Sequence, residues 1–304
     1  MKSRKRDMAL AVLLVGMALR VFAAEPLAQR IQHTDLGKVP EGHSHGSEGW
    51  RKCQLLVPAG ALDVPLHFIN RCQMMPGGGV AEHFHNTSEE MFTILNGEAE
   101  FSIDSHTSRV KGPAGAPLRM GHSHAVYNPT DGLVDYLNFN VNAVNAFSDG
   151  GVFNLGDSRN KNVQLDEIPQ FMMMHLDKAL LQPMQNFHGG TGTVQYRRAL
   201  DSSVFLTNWA YMDHELIPPG ASDGLHRHSG VEEVYYVMDG SATFQLNDET
   251  APIQEGDAVP VKFNEAHAII NNGTEPIELL IMGISAQKNA LDTELGAMPR
   301  GPGR

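Results

Sequence analysis

The chain has 304 residues, of which 41% are hydrophobic, so it is long and apolar enough to form two domains with sizeable cores. It carries 23 Lys and Arg residues against 35 Asp and Glu residues, a net charge of −12 at pH 7. This acidic balance argues against binding to nucleic acid or to anionic membrane surfaces.

The segment 1–24 has the layout of a secretory signal peptide. It begins with the basic segment MKSRKR, continues with an apolar stretch from Met8 to Leu19 and ends with the small residues Ala23 and Ala24. The apolar stretch is shorter than the roughly 20 residues that span a bilayer. We expect cleavage after Ala23 or Ala24, export to the periplasm and no stable membrane association afterwards. An uncleaved N-terminal anchor is the alternative.

Residues 25–48 are expected to form an N-terminal arm. The arm contains His43 and His45 in the segment GHSHG, with one residue between the two histidines. No glutamate at the spacing of a metal motif and no turn-strand pattern follows them. We therefore interpret this segment as solvated rather than as a metal site.

Cys53 and Cys72 are the only cysteines in the chain. An even number of cysteines in an exported protein permits a disulfide. Two buried free thiols are an equal alternative, because the sequence does not give the distance between the two Cα atoms.

The segment GGGVAEHFHNTSEEMFTILNG, residues 77–97, has the first strong pattern. His83 and His85 are two residues apart, so a β-strand would point both imidazoles to the same place. Glu90 lies an odd number of residues from both histidines, and a bend is needed to bring its carboxylate to the same point. Two imidazoles and a carboxylate that converge in this way indicate metal ligands.

The same spacing returns in the second half of the chain, with His226, His228 and Glu233 in GASDGLHRHSGVEEVYYVMDG. Here SGVE supplies the turn-forming residues of the bend. The segments 76–104 and 219–247 align without a gap and are identical at nine of 29 positions. A repeat of this length is typical of two copies of one domain.

The same alignment offset pairs His124 with His267, so each half contributes three histidines and one glutamate. Such donors suit Mn²⁺, Fe²⁺, Ni²⁺, Cu²⁺ or Zn²⁺, and we expect up to two ions per chain. Four protein ligands leave two positions open on an octahedral ion, as a catalytic metal requires. The predicted ligands are His83, His85, Glu90 and His124 in the first half and His226, His228, Glu233 and His267 in the second half.

Between the two halves lies a linker, residues 151–190. Its middle part, residues 172–184, is apolar enough to pack as a strand or a short helix. The three methionines at 172–174 are expected in the core rather than at a copper site, because methionine commonly fills irregular gaps.

Both halves resemble the cupin family, whose first motif is Gly, five residues, His-x-His, three or four residues, Glu, six residues, Gly. The resemblance covers residues 49–141 and 192–284, and both copies match this motif fully. The family's second motif, Pro-x-Gly-x-x-His-x-x-x-Asn, is matched less well. Arg119 replaces its proline in the first half, and Lys262 and Asn264 replace its proline and glycine in the second half. These positions shape a turn, so the ligand assignment is retained.

The resemblance implies an all-β fold of two tandem antiparallel barrels of the double-stranded β-helix or jelly-roll type, with the metal inside each barrel. Short β-prone runs separated by NG and DG turns agree with this architecture. We expect the barrels at residues 49–150 and 191–288 and a flexible tail at 289–304. A homo-oligomer is a further expectation from the resemblance.

The family includes dioxygenases, oxalate decarboxylases and oxidases, isomerases and lyases. Its oxalate-active members usually have an arginine three residues before the first motif histidine, where this chain has Val80 and Asp223. Oxalate chemistry is therefore doubtful in both halves. Tyr127 and Tyr236 are weaker site candidates.

Strand alternation predicts which side chains line the barrel interiors. The predicted lining residues are Phe92 and Ile94 in the first barrel and Tyr235 and Val237 in the second. Pockets of this composition are partly apolar and favour an uncharged or aromatic small molecule.

The leading hypothesis is a secreted, metal-dependent bicupin oxidoreductase of the dioxygenase type that acts on a small organic molecule. Glu90 and Glu233 are both ligands and candidate catalytic bases. Their neighbours Glu89 and Glu232 are expected to face solvent. The alternatives are a metal-dependent isomerase, lyase or decarboxylase, or a periplasmic protein that binds a small ligand or metal without turnover.

Overall fold

The computed structural model describes residues 25–143, 151–157 and 164–290. The predicted signal peptide and most of the predicted C-terminal tail lie outside these ranges. Within them, no helix is long and apolar enough to cross a membrane.

Helical structure is confined to short turns. The α-helix α1 spans Leu27–Arg30, and 3₁₀ helices span Leu36–Lys38, Lys178–Leu180, Phe187–Gly189 and Ser202–Val204. The strands that build the first barrel are β1 (Arg51–Pro58), β2 (Leu66–Met74), β3 (Gly79–His85), β4 (Ser88–Asn96), β5 (Glu98–Ile103), β6 (His106–Lys111), β7 (Ala114–Leu118), β8 (His124–Tyr127), β9 (Val134–Asn142), β10 (Val152–Gly156) and β11 (Met174–His175).

The second barrel repeats this order without counterparts of the last two strands. Its strands are β12 (Gln182–Gln185), β13 (Thr193–Asp201), β14 (Trp209–Ile217), β15 (Ser222–His226), β16 (Val231–Asp239), β17 (Ser241–Leu246), β18 (Glu249–Gln254), β19 (Ala258–Val261), β20 (His267–Ile270) and β21 (Ile277–Ser285).

Each barrel consists of two antiparallel sheets. In barrel 1 the strand orders are β1-β2-β9-β4-β7-β11 and β10-β3-β8-β5-β6, and in barrel 2 they are β12-β13-β14-β21-β16-β19 and β15-β20-β17-β18. Strands β10, β11 and β12 come from the predicted linker and extend these sheets at their edges. The prediction of an all-β chain with two jelly-roll barrels is confirmed.

Three large hydrophobic clusters of the described residues lie inside barrel 1, inside barrel 2 and between the barrels, and a small fourth cluster consists of Ala210, Tyr211 and Val231. On strand β9, alternate side chains belong to different clusters. Leu137, Phe139 and Val141 belong to the cluster between the barrels, whereas Val134 and Tyr136 belong to the interior of barrel 1. Side chains at even positions of β9 therefore face into barrel 1.

The prediction that Glu89 and Glu232 face solvent is wrong. Their exposed fractions are 0% and 1%. Glu89 accepts hydrogen bonds from the backbone N–H groups of residues 206–207, and Glu232 accepts them from residues 63–64. The two loops occupy equivalent positions of the repeat, so each barrel holds a loop of the other barrel through an equivalent glutamate.

Cys53 and Cys72 form a disulfide, which decides between the two alternatives left open by the sequence. They lie directly opposite each other on β1 and β2. The equivalent cross-strand pair in barrel 2 is Tyr196 and Glu215. The bridge is therefore particular to barrel 1 and is not required by the fold.

The methionine segment packs largely as expected. Met174 is buried on β11, and Met173 packs against the interior cluster of barrel 1. Met172 does not follow the prediction, because it is 49% exposed.

Candidate metal centres and the barrel 2 cavity

The strands of barrel 1 bring the four predicted ligands together. His83 and His85 end β3, and Glu90 lies near the start of β4, so the two residues between these strands form the predicted bend. His124 begins β8, where it pairs directly with His83. The Nε2 atoms of His83, His85 and His124 lie 3.3, 3.1 and 3.0 Å from Oε2 of Glu90.

Backbone carbonyls orient the histidine rings of barrel 1. Nδ1 of His83 donates to the Ala81 carbonyl at 2.8 Å, and Nδ1 of His124 donates to the His122 carbonyl at 3.1 Å. Because a carbonyl only accepts, Nδ1 carries the proton and the lone pair of Nε2 points to the convergence point. This is the tautomer that a metal ligand needs.

The charge states in barrel 1 also suit a metal. Burial opposes ionisation of Glu90, but its contacts with the rings of His124, His83 and His85 outweigh this effect and hold the pKa of this carboxyl group well below its usual range. Burial lowers the pKa of His124. A carboxylate and neutral imidazoles are the forms that coordinate a cation.

Barrel 2 repeats the arrangement. Nε2 of His267 and of His228 lie 3.0 and 3.4 Å from Oε2 of Glu233. Nδ1 of His226 donates to the Gly224 carbonyl at 2.8 Å. Both ring nitrogens of His228 are buried without a hydrogen-bond partner. An imidazole in that state is costly unless it binds a ligand, so His228 fits a metal site.

The two donor sets therefore fit a divalent transition metal. In barrel 2, burial lowers the pKa of His226 to about 2. Burial opposes ionisation of Glu233, but the charge of His228 and the hydrogen bond from His267 lower the pKa of Glu233.

Barrel 2 differs from barrel 1 in the groups around its glutamate. Tyr211 donates its hydroxyl to Oε1 of Glu233 at 2.8 Å, and Tyr235 donates to Oε2 at 3.1 Å. Barrel 1 has Phe68 and Phe92 at the equivalent positions. Two hydroxyl donors hold the carboxylate of barrel 2 and reduce its basicity, whereas the barrel 1 glutamate has no such donors at these positions.

Gly283 leaves the space that the ring of Tyr211 occupies. A Cβ atom at Gly283 would collide with the ring of Tyr211. The equivalent residue in barrel 1 is Asn140. The space next to the glutamate is thus filled by a phenol in barrel 2 and by an amide in barrel 1.

A cavity of about 110 Å³ lies beside the barrel 2 ligands. Tyr235 lines the cavity and Val237 lies in the interior core of the same barrel, so both face the interior as predicted. The lining residues are Phe187, His188, Tyr196, Arg198, Tyr211, Asp213, Glu215, Asp223, His226, His228, Glu233, Tyr235 and Ile281. The pocket is partly apolar, as predicted, through residues such as Phe187, Tyr235 and Ile281, but Asp213 and Glu215 add acidic groups that the sequence did not predict.

Three of the acidic groups in this cavity have partners. Asp213 accepts two hydrogen bonds from Arg198, each 3.0 Å long. Asp223 lies 2.7 Å from Nδ1 of His188. Glu233 accepts the hydrogen bonds of Tyr211 and Tyr235.

Glu215 is the exception. It is fully buried, and neither of its carboxyl oxygens has a hydrogen-bond partner. Burial, followed by the charges of Asp223 and Asp213, raises the pKa of Glu215 well above its usual range. The cavity thus contains a buried carboxyl group whose neutral form is favoured. The sequence analysis did not identify it, because Glu215 precedes the motif and has Cys72 as its counterpart.

Each centre has a further histidine that the sequence analysis did not assign. The ring of His45 stacks on His83 with centroids 3.7 Å apart, and that of His188 stands over His226 with centroids 3.9 Å apart. Nδ1 of His45 lies 2.8 Å from the Asn154 side-chain oxygen. The interpretation of residues 42–46 as a solvated segment is wrong for His45.

The sequence contains a pattern that relates His45 to His188. His45 and His188 are separated by the same offset as the metal ligands of the two halves, and each is followed by a glycine. Both adopt the left-handed backbone region, with φ of 53° and 46°. The repeat therefore extends upstream of the first motif and includes the histidine that covers each centre.

The departures from the second motif have structural explanations. Gly121 and Asn264, which are equivalent, have φ of 78° and 62°. Asparagine is one of the few residues that tolerate this region, so it can replace the glycine. Arg119 and Lys262, at the proline positions, each reach a group of the opposite barrel.

The remaining candidates lie apart from the ligand groups. Tyr236 accepts a hydrogen bond from Arg71 in the cluster between the barrels, and Tyr127 is half-buried at the end of β8. Val80 is buried in barrel 1. Neither tyrosine belongs to a metal-ligand group of the described residues.

Comparison with known proteins agrees with these features. The family model for the cupin domain matches residues 213–283. An oxalate-binding protein of Thermotoga maritima is 30% identical over 109 residues, which are 36% of this chain and 90% of that protein.

Solved structures share the fold of the whole described chain. Oxalate decarboxylase of Bacillus subtilis has a TM-score of 0.57 at 18% identity and covers 84% of this chain and 78% of its own. The formate complex of oxalate decarboxylase from Lactobacillus farciminis has a TM-score of 0.56 at 18% identity and covers 84% and 88%.

Proposed function

The chain belongs to the cupin superfamily, and from this we propose that it is a metal-dependent bicupin enzyme that removes a carboxyl group from a small carboxylic acid in barrel 2. This is the decarboxylase alternative of the sequence analysis. The dioxygenase hypothesis finds no support in the comparisons, whose similar bicupin structures are decarboxylases.

The metal would be held by the two ligand groups. These are His83, His85, Glu90 and His124 in barrel 1 and His226, His228, Glu233 and His267 in barrel 2. When bound, a divalent cation supplies Lewis acidity and positive charge for a carboxylate.

The observation that carries the proposal is Glu215. Loss of CO₂ leaves an electron pair on the substrate carbon, and a proton must replace the carboxyl group. A buried carboxyl group without a hydrogen-bond partner, whose raised pKa favours the protonated form, can supply this proton in the same cavity. Oxygen insertion has no comparable need for a proton donor at carbon.

Different residues of barrel 2 act in different steps of the proposed decarboxylation. The bond between the substrate carbon and its carboxylate breaks, CO₂ leaves, and the electron pair takes the proton from Glu215. Solvent then returns a proton to Glu215. Tyr211 and Tyr235 keep Glu233 in place during this sequence. Arg198 pairs with Asp213, which reduces the repulsion between the acidic groups of the cavity and a substrate anion.

The size of the cavity limits the substrate. Its volume of about 110 Å³ is well below the 300–1,000 Å³ that is typical of sites for drug-sized ligands. A molecule of a few heavy atoms fits, whereas a multi-ring aromatic substrate does not. No arginine stands at position 80 or 223, so any carboxylate is held by other groups than the arginine of oxalate-active relatives.

The test is CO₂ release from a panel of small mono- and dicarboxylic acids, with oxygen present and absent. We expect oxygen-independent turnover that Glu215→Gln reduces at least about 100-fold without loss of bound metal. The exposed Glu255→Gln is the matched control and should retain full activity. Oxygen uptake in proportion to product, or full activity of Glu215→Gln, would contradict the proposal.

A binding role without turnover is the second candidate. It is favoured by the similarity to an oxalate-binding protein. In that case the same panel would contain a ligand that protects the chain against unfolding but is recovered unchanged. We also propose export to the periplasm on the basis of the signal-like segment 1–24, and a homo-oligomer on the basis of family resemblance.

A further inference from the structure

Barrel 1 contains buried amides that its fold and its metal ligands do not use. Asn138 and Asn140 lie two residues apart on β9 and face the interior of the barrel. Their exposed fractions are 6% and 0%. Oδ1 of Asn138 and both amide atoms of Asn140 have no hydrogen-bond partner among the described residues. Buried amides are normally paired, so unpaired ones point to a ligand.

These amides border the metal-ligand group. Asn140 is directly opposite Glu90 on the neighbouring strand β4, and Asn138 is opposite Phe92 on the same strand. Directly opposed residues have Cβ atoms about 4.5–5.5 Å apart. The free amide groups therefore lie beside the predicted metal site.

The repeat shows that the barrel does not need these amides. Barrel 2 has Ile281 and Gly283 at the equivalent positions. There, the ring of Tyr211 occupies the space over Gly283. The amide pair is a feature of barrel 1 alone, where Phe68 and Cys72 stand at the positions of Tyr211 and Glu215 of barrel 2.

The edge of the sheet next to this wall is exposed to solvent. Leu55 on β1 is paired with Asn70 on β2, which is in turn paired with Asn138 on β9. Although the three share the inward face of the sheet, Leu55 is 56% exposed and Asn70 is only half-buried. We take this exposed edge as the route by which a small molecule would reach the wall.

The chemistry of the wall defines the ligand. Amides offer hydrogen-bond donors and acceptors without net charge. A divalent cation with three neutral imidazoles and one carboxylate carries a net positive charge and favours an anion. Phe68, Phe92 and Leu55 add apolar surface on the same inward face.

We propose that barrel 1 is a second ligand site, distinct from the cavity of barrel 2, and that it binds a small α-hydroxycarboxylate with an apolar substituent. The carboxylate accepts hydrogen bonds from the amide wall, and the hydroxyl donates to it. The substituent packs against the aromatic rings. This assignment does not depend on decarboxylation in barrel 2.

The test uses the full chain with His226→Ala and His228→Ala, so that barrel 2 holds no metal, loaded with Mn²⁺. Mandelate and phenylacetate, which differ in the α-hydroxyl group, are titrated by calorimetry. We expect mandelate to bind roughly tenfold more tightly than phenylacetate. Equal affinities, or no binding of mandelate, would overturn the proposal.

Substitutions then locate the site. Asn140→Ala should weaken mandelate binding roughly tenfold at unchanged metal content. Asn140→Asp keeps the size of the side chain and should abolish binding by repulsion. Asn138→Leu provides a second probe if either variant at 140 fails to fold. Asn272→Ala, at an exposed position outside the barrel, is the control and should bind normally. Unchanged affinity in the folded Asn140 or Asn138 variants would overturn the assignment.

Discussion

Glu215 is the residue whose environment bears most directly on both activity and stability. Its pKa is raised in the folded chain by burial and by Asp223 and Asp213. Below the ordinary pKa of 4.5, the folded and unfolded chains both carry the proton. As pH rises above this value, only the unfolded chain ionises, and the free energy of unfolding falls until pH reaches the raised pKa.

The substitution Glu215→Gln removes this penalty. We expect the variant to be more stable than the wild type by roughly 1–3 kcal/mol at pH 8, with a smaller difference at pH 4. Urea unfolding at the two pH values measures the effect, and Glu255→Gln serves as the exposed control. A difference that does not change with pH would show that Glu215 ionises normally.

The stacked histidines are positioning residues for the metal ligands. His45→Ala should weaken metal binding in barrel 1 by about 10–100-fold, as loss of outer contacts at metal sites typically does. His45→Phe keeps a ring over His83 and should restore most of the affinity. Competition with a chelator measures the binding, barrel 2 is an internal standard, and the exposed His43→Ala is the control. Equal losses from the Ala and Phe variants would argue against stacking as the cause.

At the scale of elements, the paired loops at 63–64 and 206–207 join the two barrels through Glu232 and Glu89. Glu89→Ala leaves buried N–H groups unpaired and should lower the free energy of unfolding by at least about 2 kcal/mol. Glu255→Ala at the surface should change it by less than about 0.5 kcal/mol. Denaturant unfolding distinguishes the two, and equal small effects would mean that the glutamate is not needed to hold the loop.

The sequence predicted those elements whose chemistry is local. The His-x-His strands, the bend before each glutamate and the internal repeat all depend on spacing along one strand pair, and the repeat doubles the signal. The burial of Glu89 could not be predicted, because its partners lie in the other barrel. The polar walls of barrel 2 were missed for the same reason: Asp213 and Glu215 come from β14, outside the motif, and only the closed barrel brings them to the metal ligands.

At the scale of the whole molecule, duplication has produced two similar metal-ligand groups with different surroundings. Barrel 2 has Tyr211, Gly283 and Glu215 around its cavity, whereas the equivalent residues of barrel 1 are Phe68, Asn140 and Cys72. The cluster between the barrels and the reciprocal glutamates join the two centres in one body. Such an arrangement allows two different ligand sites to share one scaffold.

The central claim is that each barrel holds its own divalent transition metal. Elemental analysis of metal per chain, for the wild type and for the single variants His83→Ala and His226→Ala, tests it most directly. We expect about two ions in the wild type and about one in each variant, as for independent four-ligand sites. Loss of both ions in a folded single variant, or the absence of stoichiometric metal in the wild type, would contradict it.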